Sequence, residues 1–127
     1  MKLKPVIKVA SGRAGMASWI VEKFPADYKE MTYIEPFLGD GSVLLRKEPS
    51  REEILNDLDC GVVSIWRALR DEPKLLVSRL KKMKYSECTF KRQQSLKEHE
   101  DYMSAAVSEF VLRQMSKSGA KRHFVSR

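Results

Sequence analysis

YIEPFLGDGSVLL, residues 33–45, passes from a short apolar run into a glycine-rich turn and out again into a stretch of helical character. MTYIEPF, residues 31–37, has the aromatic and β-branched content of a strand, and GSVLLRK, residues 41–47, reads as the helix after it. EEILNDL, residues 52–58, follows the turn around Pro49 and reads as a second strand. The order is β-α-β, which predicts an α/β fold with a parallel sheet. Gly39 and Gly41 flank Asp40 where the first strand ends. A missing Cβ there permits positive φ and lets a ligand approach the main-chain N–H groups.

On the N-terminal side, VIKVASGR leads into a helix expected from Ala14 to Phe24, stopped by Pro25, with Met16, Trp19, Ile20 and Lys23 on one face. On the C-terminal side the chain turns helical. Val62, Ile65, Trp66 and Leu69 mark one amphipathic helix. Leu76, Leu80 and Met83 mark a second, starting near Asp71 with Pro73 in its first turn. A third, from about Asp101 to Met115, aligns Met103, Ala106, Val107, Phe110 and Val111, and Gly119 is expected to break it. These stripes, and the two tryptophans on them, read as core. The expected organisation is one domain, with a βαβ core over 1–58 and a helical part over 59–127.

Lys plus Arg is 24 against 17 acidic residues, a net charge of +7, which points to an anionic partner, nucleic acid before membrane. Both ends are basic: Lys2, Lys4, Lys8 and Arg13 at one, Arg113, Lys117, Lys121, Arg122 and Arg127 at the other. A solvated surface accounts for such runs equally well. Cys60 and Cys88 have neither zinc-ligand nor disulfide spacing, and His99 and His123 lack partners for catalysis or metal binding, so no metal site is expected. No apolar run has the length of a membrane helix, and the N-terminus lacks a signal-peptide core. The expected location is the cytoplasm.

Which ligand suits the turn follows by elimination. A dinucleotide fingerprint needs a third glycine where Leu44 stands, and a P-loop needs Gly-Lys-Ser/Thr where the chain has Gly41-Ser42-Val43. Asp57, at the end of the second strand, suits a carboxylate that accepts ribose hydroxyls. Glu35, at the end of the first, would repel a phosphate and attract an ammonium or sulfonium, as S-adenosylmethionine carries. The alternative is an ordinary βα turn with glycines chosen for packing.

EPFLGDGSV, Glu35 to Val43, resembles the D/E-P-F-x-G-x-G-S-V loop of Dam-type DNA adenine N6-methyltransferases. KVASGR, Lys8 to Arg13, is similar to that family's K-W-A-G-G-K, although Val9, Ser11 and Arg13 depart from it. ILNDLD is similar to its N-D-x-N strand end, and FVLRQMSKSG, Phe110 to Gly119, to its F-x-L-x-x-M-S-x-x-G segment. The resemblance implies a Rossmann-like methyltransferase fold with a partial parallel sheet, helices on both of its sides and a C-terminal helical extension. It implies S-adenosylmethionine as cofactor, held by Lys8, Gly12, Glu35, Phe37, Gly39, Asp40, Gly41 and Asp57. DNA is the implied substrate, with Arg13, Lys117, Lys121, Arg122 and Arg127 as candidate contacts, in a setting such as restriction-modification.

One element of the family is absent. The prolines, at 5, 25, 36, 49 and 73, are all isolated, so the D-P-P-Y that holds the target adenine does not occur and no catalytic residue is assigned. The chain is expected to be inactive alone and to need a second chain or downstream segment that brings this motif. An incomplete sheet exposes edges, so self-association is also expected. The alternatives are a non-catalytic S-adenosylmethionine- or nucleic-acid-binding module acting with a partner, and a basic helical nucleic-acid-binding protein.

Overall fold

In the computed structural model, described over residues 3–10, 12–96 and 98–126, three of the α-helices begin at an Asp or Ser side chain that caps them. Among the described residues the α-helices are α1 (Ala17–Val21), α2 (Cys60–Asp71), α3 (Pro73–Lys81), α4 (Glu87–Ser95) and α5 (Tyr102–Gln114). Two strands, β1 (Thr32–Glu35) and β2 (Glu52–Leu55), pair in parallel with Ile34 opposite Ile54. The result is a mixed α/β chain. It divides into two compact units: Met1–Val6 with Ser11–Leu58, and Ile7–Ala10 with Asp59–Arg127.

In the first unit the two strands form the sheet. Tyr33 and Glu35 share one face of β1, where the turn after Gly41 folds back and the Lys47 ammonium lies 4.4 Å from the Tyr33 ring centroid. Phe24 packs on the same ring at 5.8 Å and edge-on against Tyr28 at 5.3 Å. On the opposite face Ile34 and Ile54 are exposed, Ile34 by 60 %. The wider sheet with helices on both sides is therefore not present among the described residues.

Three expectations for this unit need correction. Residues 42–47 form hydrogen-bonded turns and not a helix: the Leu45 N–H reaches the Gly41 carbonyl and those of Arg46 and Lys47 reach Val43. Pro49 bars continuation, and the Lys47 side chain ties the chain back toward Glu53. The helix expected over 14–24 shrinks to α1, whose N-terminus has no side-chain cap and which is flanked by isolated turns. Trp19 is 56 % exposed rather than core, with the Lys23 ammonium 5.7 Å from its ring.

The second unit is built around α5, which packs on α2, α3 and α4. Val62, Ile65, Ala68, Leu76, Phe90, Met103, Ala106, Val107, Val111 and Met115 are buried there. Asp59 caps α2 through the Gly61 and Val62 N–H groups, Ser86 caps α4 through Thr89, and Asp101 caps α5 through Ser104. Pro73 opens α3. Helix α4 was not expected: Thr89, Phe90 and Gln93 are its buried residues, too few apolar groups to show a stripe. Helix α5 ends at Gln114, and Gly119 lies beyond it in a separate 3-10 turn, with φ +72°. Cys60 and Cys88 are free and exposed, and no helix of the described residues is long and apolar enough to cross a membrane.

Candidate cofactor site

The turn at the carboxyl ends of the two parallel strands is held by an extension of their ladder. The Asn56 N–H donates to the Glu35 carbonyl at 2.9 Å, and the Leu38 N–H to the Asn56 carbonyl at 2.9 Å. The Gly39 N–H then donates to Asp57 Oδ2 at 2.8 Å. Buried Leu38 anchors the loop, and its carbonyl accepts from the Gly41 N–H at 2.9 Å. Asp40 is buried and its Oδ1 accepts from the Ser42 N–H at 3.0 Å. Gly39 and Gly41 adopt φ of +52° and +66°, a backbone region costly to side-chain-bearing residues. Asp57 thus has a role that its spacing did not reveal, since it clamps the glycine turn.

Several features of the turn leave room and unspent chemistry. A Cβ built on Gly39 would meet open space. The Ser42 hydroxyl is buried and has no hydrogen-bond partner among the described residues, whereas buried hydroxyls are ordinarily paired. Phe37 is 75 % exposed beside the turn. Glu35 is half-buried; burial pushes its carboxyl above the usual range, and Asp40 adds to this, against a hydrogen bond from Tyr33 and the charges of Arg13 and Lys47. A ligand cation at Glu35 would relieve that cost.

The first unit therefore brings together Glu35, Phe37, Gly39, Asp40, Gly41 and Asp57, and includes exposed Gly12 and Arg13. Lys8 belongs to the second unit, where its ammonium donates to the Gln114 carbonyl at 3.2 Å. Among the candidate DNA contacts, Lys117 and Arg122 are exposed. Lys121 is committed to Glu109 at 2.6 Å and, at 3.9 Å, to Asp59. Arg127 lies outside the described residues. His99 and His123 are exposed, and among the described residues no three His, Cys, Asp or Glu side chains gather as a metal site.

Sequence reasoning passed over Tyr33 and Lys47. The Tyr33 hydroxyl donates to Glu35 Oε2 at 2.7 Å. The Lys47 side chain is wholly buried, paired with Glu53 and bonded to Ser50 Oγ and the Glu48 carbonyl, each at 3.1 Å. The two-residue spacing of Tyr33 and Glu35 along a strand was the available signal.

A sequence model of the D12 class N6 adenine-specific DNA methyltransferases matches residues 12–123. The type II methyltransferase M.MjaIII of Methanocaldococcus jannaschii is 30% identical over 90 residues, which cover 66% of this chain and 31% of that protein. The type II methyltransferase M1.LlaDCHI of Lactococcus lactis subsp. cremoris is 25% identical over 80 residues, 63% of this chain and 27% of that one. The matched region thus spans about three tenths of each relative's length. With the glycine turn, its carboxylates and this match in agreement, the chain belongs to the D12 class of N6 adenine-specific DNA methyltransferases.

Proposed function

We propose that the chain is the cofactor-binding part of a cytoplasmic DNA adenine N6-methyltransferase with a Rossmann-like core, and that S-adenosylmethionine binds at the Gly39–Gly41 turn. The observation that carries this reading is the clamp of the Gly39 N–H on Asp57, which fixes a left-handed glycine with open space above it in the turn that follows Glu35 at the end of β1. Glu35 faces the ammonium and sulfonium of the cofactor, Asp57 takes its ribose hydroxyls, and Phe37, Asp40 and Gly41 line the adenosine. Gly12, in the same unit as the turn, serves the methionine carboxylate. The orphaned Ser42 hydroxyl is a further group for the ligand to satisfy.

When bound, S-adenosylmethionine supplies an electrophilic methyl group. What these residues contribute is orientation and charge: two carboxylates suit a cationic ligand and disfavour a pyrophosphate. DNA approaches through Arg13, Lys117 and Arg122, with Arg127 as a further contact and Lys121 contributing only when drawn from Glu109. Acceptors for the adenine amine come from a D-P-P-Y motif outside this sequence, on a second chain or segment.

The test is transfer of a labelled methyl group from S-adenosylmethionine to unmethylated DNA. The chain alone should transfer none, and addition of a polypeptide containing the downstream D-P-P-Y region should restore transfer. Methylation by the chain alone would overturn the division of labour.

A further inference from the structure

We propose that Tyr33 is a positioning residue for Glu35, and that the buried ammonium of Lys47 holds the Tyr33 ring in the orientation this requires. The proposal rests on Glu35 as a cofactor-binding carboxylate and goes on to say what aims it.

Tyr33 and Glu35 stand two residues apart on β1 and so project from the same face. The phenol donates to Glu35 Oε2 at 2.7 Å. A ring that only filled space would not need that hydroxyl, and phenylalanine would serve. The ring is fixed from two directions, by Phe24 at 5.8 Å and by the Lys47 ammonium at 4.4 Å from its centroid. Lys47 cannot wander, because its side chain is fully buried and its ammonium is shared among Glu53, Ser50 and the Glu48 carbonyl.

One carboxylate oxygen of Glu35 is thereby pinned, which leaves the group in a single orientation toward a cationic ligand. Burial and the bond to Glu35 hold the phenol well above its ordinary range, so it remains a donor at all working pH values. The charged and titratable groups acting on Glu35 are Tyr33, Asp40, Arg13 and Lys47, and of these Tyr33 reaches it by a hydrogen bond; Glu53 acts in turn on Tyr33.

The experiment is calorimetric titration of S-adenosylmethionine onto the wild type, Tyr33→Phe and Glu35→Gln between pH 5 and 8, with thermal melts alongside. Tyr33→Phe should keep its fold and lose about tenfold in affinity, the effect of removing one hydrogen bond to a charged group. Its acid limb should also move to higher pH, because the lost bond favoured the ionised carboxylate. Wild-type binding that Glu35→Gln abolishes while Tyr33→Phe leaves affinity and pH profile untouched would overturn the positioning role and spare the cofactor reading. Absence of binding by the wild type would overturn both. Should Tyr33→Phe not fold, carbon-13 NMR of the unaltered chain decides: the Tyr33 ζ-carbon resonance should titrate with the midpoint of the Glu35 carboxyl, and an unmoved resonance overturns the proposal.

Discussion

Both compact units contain a buried cation paired with at least one carboxylate and a glycine in the left-handed region, yet the two sets of groups are completed differently. In the second unit Arg113 is buried and donates to Asp59 Oδ2 at 2.6 Å and Glu109 Oε1 at 2.8 Å, while Lys121 joins the same carboxylates. A Cβ on Gly119 would run into the Lys8 carbonyl, and one on Gly61 would run into the Glu109 side chain. In the first unit Lys47 is equally buried, but Gly39 faces open space, the Ser42 hydroxyl is orphaned and Phe37 stands exposed. A close-packed, satisfied network is what a structural device looks like. The same ingredients left open beside two strand ends are what a binding site looks like.

The sharpest way to break this contrast is Arg113→Met, which removes the buried guanidinium between Glu109 and Asp59 and leaves the two carboxylates to share the Lys121 ammonium, at 2.6 and 3.9 Å. Removing one partner from such a network should cost about 3 kcal/mol of stability, read from denaturant unfolding. A loss below about 1 kcal/mol would mean the network is a surface ornament.

The two glycines sharpen the comparison at the next scale. Gly119→Ala meets both a φ of +72° and the Lys8 carbonyl, and should cost about 2 to 3 kcal/mol. Gly39→Ala meets a φ of +52° and open space, and should cost only about 1 kcal/mol. Equal losses in melting experiments would show that crowding does not distinguish the sites.

The smallest expected effect is in acid, where the units should respond with opposite sign. Burial works against ionised Asp59, but Lys121, Arg113 and the Gly61 and Val62 N–H groups outweigh it, so its carboxyl titrates below the ordinary range. Its contribution is present above an unfolded pKa of about 4 and lost as pH falls through the folded value. Glu35 is shifted upward, chiefly by burial. Its protonated form is the one the fold favours, so stability is present below about pH 4 and lost as pH rises through the folded value. Hydrogen exchange at pH 3 against pH 6 should therefore show loosening of α5 in acid and none of β1. Acid loosening of β1 alone would reverse the assignment.

How much of this was legible in the sequence depends on how local each cause is. The glycine turn was legible because positive φ at residues 39 and 41 is a demand on single residues. Helices α2, α3 and α5 announced themselves through apolar spacing, and Pro73 marked a boundary. Helix α4 escaped because Phe90 is its main apolar anchor, although Ser86 was a readable cap. Residues 42–47 look helical locally; it is Pro49 and the fold-back of Lys47 onto Tyr33 and Glu53 that stop them as turns. The same fold-back explains why Tyr33 and Lys47 were overlooked at the site, since their meeting depends on chain reversal rather than spacing. Trp19 was misjudged because a stripe on a helix of five residues is no guide to what covers it.

The central claim, that the open glycine turn of the first unit is a cofactor site, is tested most directly by calorimetric titration of S-adenosylmethionine onto the wild-type chain and Gly39→Ala at neutral pH. The account predicts saturable one-to-one binding by the wild type and its loss, by about a hundredfold or more, in a variant that still melts cooperatively, because the added methyl group occupies space reserved for the ligand. Equal affinity in the two proteins, or no heat of binding from the wild type, would contradict it.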